Sequence, residues 1–65
     1  MMQTVTYKSI ELVVGSAKVE ENVSALPGRF IVVARGADGW DYQFHTNGWL
    51  STAAELAEEI NQGGN

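Results

Sequence analysis

Arg29-Phe30-Ile31-Val32-Val33-Ala34-Arg35, followed by Gly36-Ala37-Asp38-Gly39 and then Trp40-Asp41-Tyr42-Gln43-Phe44-His45-Thr46, is the stretch from which the fold can be read. Phe30 to Ala34 is apolar on both parities, which predicts a central strand covered on both faces. The last part alternates. Trp40, Tyr42, Phe44 and Thr46 fall on one side, and Asp41, Gln43 and His45 on the other, as in a strand with one buried face. The tetrapeptide between them is turn material, so the two strands form a hairpin.

Toward the carboxy terminus, Asn47-Gly48 signals another turn, and Trp49-Leu50 reads as a short continuation or an anchor. A helix is expected from Ser51 or Thr52, where Thr52 and Glu55 have capping-box spacing. Ala53, Leu56, Ala57 and Ile60 make an apolar stripe at i, i+3, i+4, i+7 that faces the aromatic strand. Gly63-Gly64 ends the helix, and residues 62–65 read as a frayed tail.

Toward the amino terminus, Val5 to Val14 is rich in β-branched residues and predicts a strand. Its alternation changes parity: Val5 and Tyr7 share one, Ile10, Leu12 and Val14 the other, so a bulge near Lys8-Ser9 is expected. Gly15-Ser16 reads as a turn. From Ala17 to Leu26, Val19, Val23 and Leu26 have helical spacing, and Pro27-Gly28 ends that link. The expected fold is α+β, a three-stranded antiparallel sheet packed against one carboxy-terminal helix, with an irregular or short helical link between strands 1 and 2, all in a single domain over residues 1–65.

Composition narrows the function. A chain of 65 residues buries only ~60% of the surface its unfolded form exposes, too little for a second domain. Eight acidic residues against four basic ones give a net charge of −4, the wrong sign for gripping phosphates directly. The absence of cysteine removes disulfides, thiolate metal sites and a cysteine nucleophile. The longest apolar run, Phe30 to Ala34, is far short of a membrane span, and the first residues lack the basic start and apolar run of a secretory signal. A cytoplasmic location is therefore expected, and the glycosylation pattern at Asn22-Val23-Ser24 is read as chance.

No catalytic or metal motif stands out. His45, the single histidine, shares a strand parity with Asp41, but four residues along a strand separate the pair by roughly 13 Å, beyond contact. Asp38-Gly39-Trp40-Asp41 lacks the spaced ligands and closing glutamate of a calcium loop, and a turn explains it. No serine lies in a nucleophile elbow and no glycine-rich phosphate loop is present. No cofactor and no metal are expected.

Two features remain as candidates for partner binding. Trp49 lies beyond the Asn47-Gly48 turn and is the aromatic residue freest to point outward, as interface tryptophans do. Glu55, Glu58 and Glu59 share the polar side of the last helix, with no Lys or Arg after Arg35, and Asp38 and Asp41 extend the acidic set around the hairpin. A solubilising surface accounts for such acids; so does a face for a basic partner, including one that normally holds nucleic acid.

In format the whole chain resembles small phage- or mobile-element-encoded accessory proteins, the anti-CRISPR inhibitors among them: short, acidic, cysteine-free, with a few strands and one capped helix. The resemblance implies a non-enzymatic inhibitor that occludes the basic surface of a host protein or nucleoprotein complex. It carries no aligned motif and assigns no residue. The alternative is a structural or assembly protein acting as a small homo-oligomer through Trp49 or unpaired strand edges. A small enzyme ranks third, because a domain of this size rarely supports a pocket and the shell that holds catalytic groups in place.

Overall fold

A computed structural model of the chain describes residues 2–22 and 29–63. Five strands precede one helix: β1 (Thr4–Tyr7), β2 (Ile10–Val13), β3 (Lys18–Glu21), β4 (Phe30–Arg35), β5 (Asp41–His45) and α1 (Leu50–Asn61). β3, β4 and β5 form a three-stranded antiparallel sheet in that spatial order, and β1 and β2 form a separate antiparallel hairpin.

β4 is the central strand, as its doubly apolar run requires. Val32 and Ala34 are buried in the main core with Phe44, Leu12, Ala17 and the helix residues Ala53, Leu56, Ala57 and Ile60. Ile31, of opposite parity, is also buried. The β5 alternation holds for Tyr42 and Phe44, which turn toward the core, where the Tyr7 ring meets the Phe44 ring edge-on at 5.0 Å. Trp40 departs from that stripe. It is 72% exposed, because it still belongs to the turn, where its N–H donates to Asp38 Oδ1 (3.0 Å) and its carbonyl accepts from the Gly36 N–H (2.7 Å).

The amino-terminal strand with a bulge is instead a two-stranded hairpin. Lys8 and Ser9 both have positive φ, 51° and 67°, the backbone of a two-residue turn matched to strand twist. Pairing of Val5 with Leu12 and Tyr7 with Ile10 puts both parities on one face, which a single bulged strand would have required a defect to do.

The helical link also needs correction. Lys18–Glu21 is β3, paired with β4 from Lys18↔Val33 to Glu21↔Phe30. Four residues with one inward apolar group nucleate no stable helix, whereas pairing with β4 satisfies their backbone and half-buries Val19. The rest of the expected link, residues 23–26, and the Pro27-Gly28 turn lie outside the described residues.

β2 and β3 run along the same side of β4 with a break between them. Leu12 bridges Gly36 and the Ala37 N–H reaches the Glu11 carbonyl at 2.9 Å, while β3 takes over from Val33 onward. Ser16 spans the break: its hydroxyl donates to the Val13 carbonyl (2.7 Å) and accepts from the Arg35 N–H (3.0 Å). Gly36, at the junction, has no room for a side chain, since a Cβ there would run into the Tyr42 ring and Asp38.

α1 packs on β4 and β3 through Ala53, Leu56, Ala57 and Ile60, the stripe expected from spacing. It starts earlier than the Thr52-Glu55 box implied. Trp49 is the N-cap and makes no side-chain capping bond; instead Asn47 Oδ1 accepts from the Trp49 N–H at 3.0 Å, a local turn that delivers the chain to the helix. Thr52 therefore lies inside the first turn, where it cannot serve as a cap. At the other end Gln62 and Gly63, placed in the tail by sequence, donate backbone N–H groups to Glu58 and Ile60 carbonyls at 2.9 and 3.1 Å, and Gly63 takes the left-handed φ of +85° typical beyond a helix end.

Candidate functional site

The helix sets out the acidic residues. With Ala53, Leu56, Ala57 and Ile60 turned to the core, the 3.6-residue period leaves Glu55, Glu58 and Glu59 exposed on the opposite side. Together with Gln62 they border a shallow depression of about 360 Å³. Gln62 Nε2 donates to Glu58 Oε1 at 3.0 Å, a side-chain contact that fixes one carboxylate and neutralises none. The ion pairs among the described residues, Lys18–Glu20 at 3.6 Å and Arg35–Asp41 at 2.6 Å, both lie on the sheet.

These charges do not serve the helix itself. The first turn of α1 holds no acid and the last turn no base, and Glu58 and Glu59 lie in that last turn, where the helix dipole disfavours them by roughly 0.3–1 kcal/mol each. Glu55 and Glu59 add a like-charge i, i+4 contact, which costs a few tenths of a kcal/mol more.

The structure does not bring Asp38 and Asp41 to this face. Asp41 accepts from Arg35 Nε at 2.6 Å, and both side chains lie on the sheet face opposite α1, given the inward parity of Tyr42 and Phe44. Asp38 closes the β4–β5 turn: Oδ2 accepts from the Tyr42 hydroxyl at 2.5 Å and Oδ1 from the Trp40 N–H. The Tyr42 hydrogen bond, then the Trp40 amide, hold the Asp38 carboxyl below its ordinary pKa. The same bond, followed by partial desolvation and the Asp38 charge, raises the Tyr42 phenol above its own. Asp38 borders the tip of the amino-terminal hairpin, near Ser9 and Glu11.

Trp49 is 67% exposed at the start of α1, and Leu50 beside it is 54% exposed. Leu50 was not singled out by sequence because a residue between a turn and a helix has no parity. Exposed Trp40 was hidden for the opposite reason: its parity matched the buried stripe, and the one signal against burial was its place directly after Gly39.

The open sheet face carries a groove of about 530 Å³ bordered by Lys18, Glu20, Arg35, Asp41 and Gln43 over Val33. Its charges are matched in sign by the two ion pairs. His45 faces the same side, opposite Ile31 in the ladder, and makes no hydrogen bond with a described residue. Among the described residues no three His, Cys, Asp or Glu side chains converge to hold a metal ion, and no helix is long and apolar enough to cross a membrane. No protein-family model matches the sequence, and no curated protein or solved structure matches it.

Proposed function

We propose that this chain is a small acidic binding protein without catalytic activity, and that Glu55, Glu58 and Glu59 dock on a positively charged surface of a partner protein and occlude it. The observation that carries the reading is a set of three exposed carboxylates on one side of α1, two of them, Glu58 and Glu59, in the last turn where they weaken the helix, with no cation paired to any of the three among the described residues. A solubilising acid has no reason to prefer the last turn. Along the axis Glu58 and Glu59 lie ~4.5 and ~6 Å from Glu55, coarser than the 3.4 Å charge interval of a nucleic-acid strand yet compatible with a basic groove that normally holds one. On this reading the protein is an inhibitor of the phage or mobile-element kind, acts in the cytoplasm and binds neither DNA nor RNA itself. Asp38 and Asp41, held in the turn and in an ion pair, contribute to the long-range field rather than to contact.

The test replaces all three glutamates with glutamine, which keeps shape and helix propensity. A basic partner recovered by pull-down from the native host should bind the folded variant more slowly and with less salt dependence. Undiminished binding at low salt would remove the acidic face from the interface.

A further inference from the structure

The outer edge of β5 is open. β5 is the end strand of its sheet, and among the described residues no strand lies beyond it. α1 packs over β4 and β3, so no helix covers this edge. The Gly36 N–H bonds the Trp40 carbonyl, and the Arg35 N–H points the other way, to Ser16. Backbone groups alternate in direction along a strand. Trp40, Tyr42 and Phe44 therefore turn theirs toward β4, and Asp41, Gln43 and His45 turn three N–H and three C=O groups outward.

We propose that the protein forms a twofold dimer in which β5 pairs antiparallel with β5 of the second copy, centred on Gln43. Counting outward from that centre, Gln43 faces Gln43 and all six outward groups of each strand find partners. Asp41 then lies opposite the second copy's His45, and His45 opposite its Asp41. The match is acid to base at both ends, and Arg35 occupies only Oδ1 of Asp41, leaving Oδ2 for the imidazole N–H. On the other face Tyr42 meets the second copy's Phe44, an aromatic cross-strand pair of the kind that stabilises sheets. Trp40, 72% exposed in the single chain, comes opposite the second copy's Thr46.

The remaining edges are less open to such pairing. A twofold at Val19 would set Lys18 opposite the second copy's Glu20, but that pairing needs the N–H and C=O of Ala17, which the Asn61 amide takes at 2.8 and 2.9 Å, and Lys18 already pairs with Glu20 of its own strand. β1 has Tyr7 as its single ionisable group and offers no charge match across a twofold. β5 has no proline, lysine or bulge, three of the devices that keep an exposed edge from pairing, and its one acid, Asp41, is opposed by His45 in this register. An isologous pairing of this kind closes on itself and stops at two copies. It would give one particle two acidic helix faces, but it does not depend on their role.

Sedimentation equilibrium across roughly 10 µM to 1 mM, a range that brackets weak association, should show a monomer–dimer equilibrium. Residue-resolved hydrogen exchange should find the amides of Asp41, Gln43 and His45 protected at the high end and released on dilution. Gln43→Lys sets two like charges face to face on the twofold at an exposed site, and should weaken the dimer by more than about tenfold with an unchanged circular dichroism spectrum. Gln43→Pro should do the same by removing an N–H that faces away from β4. The Glu55, Glu58 and Glu59 to Gln variant should dimerise like wild type. A wild type that remains monomeric throughout, or a dimer that survives Gln43→Lys, overturns the proposal, the second outcome moving the contact to Trp49 and Leu50.

Discussion

Asn61 uses its side-chain amide as a strand would use its backbone: Oδ1 accepts from the Ala17 N–H at 2.8 Å and Nδ2 donates to the Ala17 carbonyl at 2.9 Å. Ala17 is buried at the break between β2 and β3, so its peptide groups face away from β4 with little access to water. One residue of the last helical turn thus closes the edge of the sheet and ties α1 to β3.

Asn61→Ala removes both side-chain partners of a part-buried peptide and should lower stability by about 1–2 kcal/mol in urea or thermal unfolding. Asn61→Asp keeps the acceptor, loses the donor and sets a carboxylate against a carbonyl at a helix end, so it should be no better than alanine. An aspartate variant as stable as wild type would show that the paired hydrogen bonds contribute little.

Leu56 fills the core between α1 and the sheet. Leu56→Ala should cost ~2 to 5 kcal/mol, which is a large share of the stability of so short a chain. An unchanged melting temperature would show that the stripe does not carry the packing.

Gly36→Ala should destabilise through a clash rather than through backbone strain, because the Cβ meets the Tyr42 ring and the Asp38 carboxylate. Making room breaks the Asp38–Tyr42 bond, so the observable is loss of Tyr42 hydroxyl protection together with a lower melting temperature. Tyr42→Phe in the same background should recover little, since the ring itself obstructs.

Asp38 and Tyr42 make stability depend on pH at both extremes. Asp38 has a folded pKa below its unfolded value, so its contribution is present above the unfolded value, near 4, and fades as pH falls through the folded one. Tyr42 is raised, so its contribution is complete below its unfolded value, near 10, and fades as pH rises through the folded one. Tyr42→Phe should move the Asp38 carboxyl only partway back in an NMR titration, because the Trp40 amide still bonds it.

Ser9→Gly should stabilise the amino-terminal hairpin. Ser9 has a φ of 67°, a conformation costing an L-residue roughly 1–2 kcal/mol, from which the entropy of a flexible glycine takes back ~0.5–1. Thermal unfolding should show a small gain. Lys8 is kept, since its ammonium lies 5.8 Å from the Tyr7 ring centroid, within reach of a cation–π contact.

Local pattern alone determined the central strand β4, the inward parity of Tyr42 and Phe44 and the buried stripe of α1, because each depends on the chemistry of neighbours within a few residues. The same holds for the candidates Glu55, Glu58, Glu59 and Trp49, which helical period and a turn place on the surface. Tertiary structure decided the rest. Lys18–Glu21 is a strand because β4 satisfies its backbone and Asn61, 44 residues away, holds the adjoining Ala17, and no local signal reports partners so distant. Val5 to Val14 folds as a hairpin because two adjacent residues accept positive φ, which Lys8-Ser9 does not advertise as Asn-Gly would. Asp38 and Asp41 were legible as acids but not as bonded ones. Trp40 has the parity of a core residue and the exposure of a surface one, since burial is a property of what packs across a strand end, and alternation along the strand carries no information about that.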